Sequence, residues 1–479
     1  MNSISKITRR WMVPAITSSL CLMAQAPSQA LQFNFSYEKD TPYEQILGFE
    51  VAGNWWASQI SDDVTLNIHI GTSNDLPKNV VGGALPAMKA FRSYERFQSK
   101  LQDDASSSSA DDISATFRGG LKTYKNRDGI TYFKGRLESK TWNIYKTSLT
   151  NANAKAVGFS NAHSQALDGM IMMSDLSNTK YHWNYDFERS DSIDNKSLDF
   201  LSVAVHEIGH TLGFISAFDT VNKHEGTATR EENLERVKRT TSLDLFRHSN
   251  TAGQGVVELR AGKASYFSVD GGNNKIADFA RGNKNIGNGS DGYQASHWKH
   301  QNKNALGIMG PAIRLGERRN IAKLDLRALD AIGWDLKTNV KQQNINFGLL
   351  QTQAETKLAQ KLGRGTSWLK QNKNTAANQL TSTNTKLLAD MVGESDTYYQ
   401  LFGANALGSA GWWQLLNDLG YGGWWQEYIA NNAYGQKAYF STLEDPKPVD
   451  VPEPTSVLGL FGTVLLSFLG QRQIQKQSK

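Results

Sequence analysis

Residues 195–214, NKSLDFLSVAVHEIGHTLGF, constrain the fold more than any other segment of the chain. Apolar residues recur here at helical spacing and predict one apolar helix face: Leu198, Leu201, Val205, Ile208 and Leu212. We expect Ser197 to be the N-cap, Asp199 to lie in the first turn and Gly213 to end the helix. The rest of the chain must therefore supply a core against which this helix packs.

Two histidines on this predicted helix indicate a metal site. His206 and His210 are four residues apart, so their rings leave the same helix face within about 6 Å of each other. Zinc fits best, because two imidazoles, a third protein ligand and an open position for water make the usual hydrolytic zinc site. Glu207 projects about 100° around the helix from His206 and faces that water. We therefore predict that Glu207 is the general base, which takes the proton of the zinc-activated water and passes it to the leaving amine.

The third metal ligand does not follow from this spacing. In most metzincins the motif continues as HExxHxxGxxH, whereas this chain keeps the pattern through Gly213 and then has Ser216. Serine is a poor zinc ligand, so the third ligand must come from farther along the chain. The candidates are His224, His248, His297, His300 and a carboxylate such as Asp219. The stretch QASHWKHQNKNALGIMGP favours His297, because Met309 in the same stretch is placed to form a turn beneath the metal.

With these motifs the chain resembles the leishmanolysin-like branch of the metzincins, in which a long insertion precedes the third histidine and the Met-turn. The resemblance is carried by HEIGHTLGF at 206–214, SHW at 296–298 and GIMGP at 307–311, and it spans about residues 44–338. It implies that His206, His210 and His297 bind the metal and that Met309 supports the site without binding it. It also implies an active-site cleft between an N-terminal and a C-terminal subdomain.

The periodicities along the chain predict an α+β fold. Residues 44–60 have helical spacing, residues 64–70 alternate as a strand, and 129–133 and 169–175 are further strand candidates. We expect a catalytic domain over 31–338, with an upper subdomain (31–213, a mixed sheet and the active-site helix) and a lower one (214–338) that is irregular. The lower subdomain should end in a helix at IAKLDLRALDAIGW, residues 321–334, with Gly333 as its stop.

Both ends of the chain look like removable targeting segments. Residues 1–30 have the basic, apolar and small-residue parts of a secretory signal peptide, and they contain the only cysteine, Cys21. Residues 449–479 join a Pro-Glu-Pro triplet to an apolar run at 457–469 and a basic tail, and they resemble a PEP-CTERM sorting signal that an exosortase recognises. A plain C-terminal transmembrane anchor is the alternative, although the run is short of about 20 residues. We therefore expect export to the cell envelope or beyond, with transient membrane anchoring.

Charge and cysteine content exclude several classes of protein. The formal net charge is +6, but six basic residues and no acidic one lie in residues 1–30 and 471–479, which leaves 46 basic against 46 acidic residues over 31–470. A nucleic-acid partner is therefore not indicated. Without Cys21 the mature chain can form no disulfide, thiolate metal site or catalytic thiol.

The region 339–448 is rich first in Gln and Asn and later in tryptophan. Up to about residue 395 it predicts a linker or a loosely packed helical region. The pairs Trp412-Trp413 and Trp424-Trp425 then admit stacking on a surface polysaccharide or a place at a membrane interface, although packing of a small domain is favoured.

Taken together, these patterns predict a secreted zinc endopeptidase that acts on a protein or peptide substrate. One alternative is a non-catalytic envelope or matrix-binding protein with a structural zinc site. Another is a zinc hydrolase of a non-peptide bond. Glu207 favours an enzyme, because a structural zinc site needs no general base.

Overall fold

The computed structural model of the chain describes residues 31–73, 80–107, 122–216, 240–260, 262–282, 289–301, 305–337, 344–382 and 439–444. The predicted signal peptide, the tryptophan pairs, the Pro-Glu-Pro segment and the candidate ligands His224 and Asp219 lie outside these residues. Among the described residues, no helix combines the length and apolar character needed to cross a bilayer.

The described chain contains both strands and helices, with several strands often following one another, and the fold is α+β. The strands are β1 (Gln32–Tyr37), β2 (Thr65–Ser73), β3 (Val80–Pro86), β4 (Met88–Ser93), β5 (Thr123–Lys125), β6 (Thr131–Leu137), β7 (Lys140–Ile144), β8 (Lys146–Thr150), β9 (Gly169–Ser174), β10 (His182–Asn184), β11 (Ser197–Asp199), β12 (Arg247–His248), β13 (Val256–Glu258), β14 (Tyr266–Phe267), β15 (Ala277–Asp278), β16 (Ala312–Arg314) and β17 (Tyr439–Glu444). The helices are α1 (Tyr43–Gln59), α2 (Tyr94–Ser107), α3 (Asn151–Ala156), α4 (Phe200–Thr211), α5 (Lys323–Ala331), α6 (Phe347–Lys361) and α7 (Thr366–Gln371). A 3₁₀ turn covers Leu243–Phe246, and a further helix covers 373–382.

A six-stranded mixed sheet forms the centre of the molecule, in the order β1-β2-β9-β3-β17-β16. Strands β1, β2 and β9 are parallel, and β3 runs antiparallel to β9. Strand β17, from the far end of the chain, runs antiparallel to β3 and parallel to β16. The predicted strands 64–70 and 169–175 are confirmed as β2 and β9, whereas β1 was not predicted, although Phe33, Phe35 and Tyr37 alternate in it.

Helix α1 confirms the prediction for residues 44–60 and lies at the centre of the packing. It is buried on nearly all sides, because it contacts β1, α4 and α6 together. Its Gly48 lets α4 approach closely, since a Cβ there would lie 2.5 Å from the ring of Phe200. The Trp56 indole also donates a hydrogen bond of 2.9 Å to the Val205 carbonyl of α4. Helix α4 is therefore held along its length by α1.

The start of α4 differs from the prediction that Ser197 is its N-cap. Ser197 lies in β11, paired in parallel with His182 of β10. The helix begins at Phe200 with Asp199 as its N-cap, and the Asp199 carboxylate accepts a hydrogen bond of 3.1 Å from the Ser202 N–H. The extended pairing of Ser197 explains the difference, since a strand that ends at Asp199 leaves no helical turn for residues 197–199.

The Gln- and Asn-rich region forms helices that pack on α1. Leu350, Ala354 and Leu358 of α6 belong to the same apolar core as the sheet and α1. Two lysines of α6, Lys357 and Lys361, form ion pairs with the buried Glu50 carboxylate of α1 at 2.5 and 3.0 Å. Residues 344–382 thus share a core with the residues around α1.

The stretch from 240 to 337 has the irregular character that its composition predicts. Its strands, β12 to β16, are two or three residues long. The predicted terminal helix is confirmed as α5, and Gly333 follows it at a positive φ of 100°. Loops in this stretch are held by both side-chain and backbone hydrogen bonds, several of which lie around the predicted metal ligands.

Candidate metal centre

Three buried histidines converge at the C-terminal half of α4. The Nε2 atoms of His206 and His210 are 3.0 Å apart, and His297 Nε2 lies 3.2 Å from each of them. His206 and His210 lie one turn apart on α4, whereas His297 comes from the loop before α5. These three residues form a group that can hold a metal ion.

Each histidine ring is oriented by a backbone carbonyl on its far side. The Nδ1 atoms of His206, His210 and His297 lie 2.7, 2.7 and 3.1 Å from the carbonyl oxygens of Ile308, Phe214 and Gln294. A carbonyl only accepts hydrogen bonds, so each Nδ1 carries the proton and each Nε2 presents its lone pair to the centre of the group. The three rings are thus arranged as metal ligands.

Burial keeps these imidazoles neutral. It lowers the pKa of His206 to about 4, and it lowers the pKa values of His210 and His297 well below their ordinary range, with the neighbouring histidines adding to the shift. A neutral imidazole has the free lone pair that metal binding requires. The centre is therefore ready for a cation at neutral pH.

The turn after α4 positions one of these carbonyls. Gly213 has a φ of 116°, in the region that favours glycine, and the chain reverses there so that the Phe214 N–H donates to the Gly209 carbonyl at 3.1 Å. The reversal brings the Phe214 carbonyl back to His210. The residues directly after His210 thus orient the His210 ring.

Ser216, which stands where most metzincins have the third histidine, contacts the loop that carries His297. Its backbone N–H donates a hydrogen bond of 2.9 Å to Ser296 Oγ, next to His297 in sequence. Its hydroxyl donates to the buried Asp244 carboxylate at 2.5 Å. Ser216 therefore holds the ligand loop in place, a role that the sequence pattern did not suggest.

Met309 lies directly beneath α4. Its thioether approaches Gly209, the residue before His210, so closely that a Cβ on Gly209 would overlap the sulfur. Met309 also accepts, through its carbonyl, a 3.0 Å hydrogen bond from the Trp298 N–H. The methionine segment therefore supports the helix and is connected to the loop of His297.

Asp325 connects the elements around the centre, and sequence analysis did not identify it. One of its carboxylate oxygens accepts from the Trp298 indole at 2.8 Å and the Met309 N–H at 3.2 Å. The other accepts from the Ile308 and Ala322 N–H groups at 2.9 and 2.7 Å. Burial raises the pKa of Asp325 to about 6, although these donors lower it. The only available signal was an acidic residue in the first turn of a predicted helix.

Glu207 is fully buried and faces β3. A Cβ built on Gly82 would lie 3.1 Å from Glu207 Oε1 and 2.9 Å from Val203 Cγ1. The absence of a side chain at Gly82 lets the strand backbone run beside this carboxylate. Glu207 therefore lies where α4, which carries two of the histidines, packs on β3.

The other described candidates for the third ligand lie elsewhere. The His248 ring is buried, and its Nδ1 lies 3.2 Å from the Val256 carbonyl. The His300 ring packs against Tyr293 with a centroid distance of 4.7 Å. Within the described residues, only His297 joins His206 and His210 in a group of this kind.

Comparisons with known proteins add no assignment. No family model matches the chain, and no curated protein and no solved structure matches it. The geometry of the centre is therefore the basis for a functional conclusion.

Proposed function

We propose that the protein is an exported, metzincin-like zinc endopeptidase. The observation that carries this proposal is that three buried Nε2 atoms lie 3.0 to 3.2 Å apart. Two of them belong to α4, the helix that also contains Glu207. A structural zinc site usually has four protein ligands, whereas a catalytic site has three and an open position. Within the part of the chain that the structure describes, the group has three histidine ligands, and this number favours catalysis.

The donor set fits zinc in both chemistry and spacing. In tetrahedral zinc sites with Zn–N bonds of about 2.0–2.1 Å, two nitrogen ligands lie roughly 3.3 Å apart. The three observed separations of 3.0 and 3.2 Å are close to this value. The carbonyl acceptors at each Nδ1 are the kind of outer partners that zinc-binding histidines usually have. His206, His210 and His297 would hold the ion, which when bound acts as a Lewis acid and lowers the pKa of water to about 7.

Glu207 is the group that moves the proton in this proposal. It takes a proton from the attacking water at its carboxylate and delivers that proton to the leaving amine as the peptide bond breaks. Its burial beside β3 keeps bulk water away from this transfer. Two observations support a leishmanolysin-like relationship: the separation of 87 positions between His210 and His297, and the packing of Met309 beneath the helix.

Glu207→Gln tests the proposal, with Glu188→Gln at an exposed position as the matched control. We expect the Glu207 variant to keep its zinc, as measured by elemental analysis, and to lose at least about 10³-fold in kcat/KM on casein or a quenched peptide, because the ligands remain while the base is gone. The control should retain wild-type turnover. Near-wild-type hydrolysis by Glu207→Gln would refute the assignment.

The same assay separates the alternatives. An envelope-binding protein with a structural zinc site would contain zinc and hydrolyse no peptide in either form. A zinc hydrolase of a non-peptide bond would not hydrolyse casein. It would hydrolyse an ester or an amide of another class, and Glu207→Gln would lose that activity. Binding of a surface polysaccharide, which the tryptophan pairs suggest, would be measured by a binding assay, because it involves no turnover.

Export and sorting are part of the proposal and rest on the sequence of the two ends. A signal peptide over 1–30 and an exosortase-type cut near the Pro-Glu-Pro triplet would leave a product from about Leu31 to about residue 454. Intact-mass analysis of the protein from its native envelope measures this directly. A species in the membrane fraction that still carries Lys479 would rule out sorting and favour a plain anchor.

A further inference from the structure

Strand β17, from the C-terminal part of the chain, lies between β3 and β16 in the central sheet, beside the metal centre. The space that it fills is called the gap below. Strand β3 pairs with β9 on one side and with β17 on the other. Strand β16 has β17 as its only partner within the described part of the sheet. Without β17, the facing edges of β3 and β16 would be two strand spacings apart, about 9.6 Å. That width accepts one extended chain.

The two strands that border this gap, β3 and β16, are the walls of the gap, and both lie close to residues of the metal centre. On one wall, Gly82 of β3 lies beside Glu207, since a Cβ on Gly82 would be 3.1 Å from Oε1. The other wall, β16, begins at Ala312, three residues after Met309 and close to Ile308, whose carbonyl accepts from His206 Nδ1 at 2.7 Å. A chain held between these walls must pass the general base.

The register of β17 gives the position of that passage. Ser441 lies opposite Gly82 and Phe440 opposite Gly83, and on the other side Thr442 lies opposite Ala312. The regular register with β3 is interrupted between Ser441 and Thr442. The backbone at Ser441 is therefore one strand spacing, about 4.8 Å, from the strand that borders Glu207.

The metal centre is closed in this arrangement. His206, Glu207, His210 and His297 are exposed by 3%, 0%, 0% and 1%. A peptidase must admit a peptide to these groups, so an element that covers them must be able to leave. Strand β17 comes from a sequence-distant segment, contacts α4 and pairs through its backbone with β3 beside Glu207.

We propose that residues 439–444 are an intramolecular occupant of the peptide channel, bound as an added strand between β3 and β16. An extended peptide binds to a sheet edge through main-chain hydrogen bonds, which a substrate of many sequences can copy. Tethering makes the binding of this segment intramolecular, which favours it over a free substrate of equal intrinsic affinity. Release of β17 opens the channel. The assignment of the gap as a peptide channel rests on the proposed function, whereas the occupancy by β17 does not.

Phe440→Pro in the zinc-loaded full chain tests the occupancy, with Gln436→Pro, before the strand, as the matched control. Proline lacks the N–H of the ladder and disrupts a central strand. In Phe440→Pro we expect the β3 amides of Val80–Ala84 that face β17 to exchange hydrogen at least about ten-fold faster than in wild type. Cleavage of a quenched peptide should rise about ten-fold in kcat/KM, as the open fraction rises. The control should change neither quantity.

A peptide with the sequence KAYFSTLEDP, residues 437–446, provides the second measurement. Added to Phe440→Pro, it should slow the exchange of β3 again and inhibit turnover competitively, and its Phe-to-Pro form should do neither. If Phe440→Pro does not fold, as judged by thermal unfolding, the chain with residues 439–444 deleted is measured in the same way.

The outcomes separate this inference from the proposed function. Unchanged β3 exchange in the folded variant would overturn the occupancy. Faster exchange with reduced turnover would also overturn it, because β17 would then be a structural strand of the active enzyme. Faster exchange in Phe440→Pro, reversed by the peptide, with no hydrolysis by any form including wild type, would support the occupancy and remove the peptidase assignment.

Discussion

The Nε2 atoms of His206 and His297 lie 3.2 Å apart although the two residues are 91 positions apart in the chain. Their rings are nearly parallel, with an angle of 14° and a centroid distance of 5.1 Å. One ring belongs to α4, which packs on the central sheet, and the other to a loop of the irregular stretch before α5. A metal ion at this point would cross-link the two parts of the molecule, so metal binding and folding should be coupled.

The first prediction concerns the third ligand. We expect His297→Ala to lose most of its zinc, since only two imidazoles remain, while His300→Ala, whose ring packs on Tyr293, retains it. The zinc content after dialysis and the melting temperature with and without a chelator measure this. The metal-dependent rise in melting temperature should disappear in His297→Ala and persist in His300→Ala. The reverse order would make His300 the ligand.

A second prediction concerns Asp325. In Asp325→Asn an amide N–H₂ replaces one acceptor oxygen and faces two N–H donors, so buried donors lose their partner. We expect the free energy of unfolding to fall by about 1–3 kcal/mol and zinc affinity to weaken about 10- to 100-fold. Denaturant unfolding and competition with a metal indicator measure these quantities. Asp278→Asn, which affects a surface ion pair with Lys275, is the control and should be nearly neutral.

The contact between Gly209 and Met309 leads to a third prediction. Gly209→Ala adds a methyl group where the Met309 sulfur already lies, and we expect a loss of about 1–3 kcal/mol in the free energy of unfolding. Met309→Ala removes the sulfur, so the double variant should be more stable than the two separate losses predict. A double-mutant cycle measured by denaturant unfolding gives the coupling. Strict additivity would show that the two residues do not meet.

The fourth prediction concerns Glu50 and pH. Burial by itself would raise the pKa of Glu50, but Lys357 and Lys361 lower it below its ordinary value of 4.5. A carboxylate whose pKa is lower in the folded chain stabilises the fold above the ordinary value, and that stabilisation is lost as pH falls through the folded pKa. At pH 7 the melting temperature of Glu50→Gln should therefore be well below that of wild type, because the buried ion pairs are lost. The difference should shrink as the pH approaches 3.

The control for this prediction is Glu44→Gln, in which a more exposed ion pair with Lys373 is removed. Its melting temperature should stay close to that of wild type over the same pH range. A difference between wild type and Glu50→Gln that does not depend on pH would show that packing at Glu50, and not its charge, stabilises the contact between α1 and α6.

Local sequence patterns predicted those helices and strands whose formation depends on residues close together in the chain. The 3.6-residue spacing of apolar residues predicted α1, α4 and α5, and the alternation of apolar residues over 64–70 predicted β2. Gly213 and Gly333 were predicted as helix ends, and both have positive φ. The start of α4 was placed at the wrong residue, because a short parallel pairing between β10 and β11 competes with helix formation there.

The sequence by itself determined that His206 and His210 lie one turn apart, because the geometry of one helix places them there. Only the tertiary structure decided that His297 and not His248 or His300 meets them, since this depends on how a long irregular stretch is held by Ser216 and Asp325. It also decided that residues 439–444 lie between β3 and β16. Pairing between distant strands has no local periodicity to reveal the partner, because the ladder is formed by backbone groups that every residue carries.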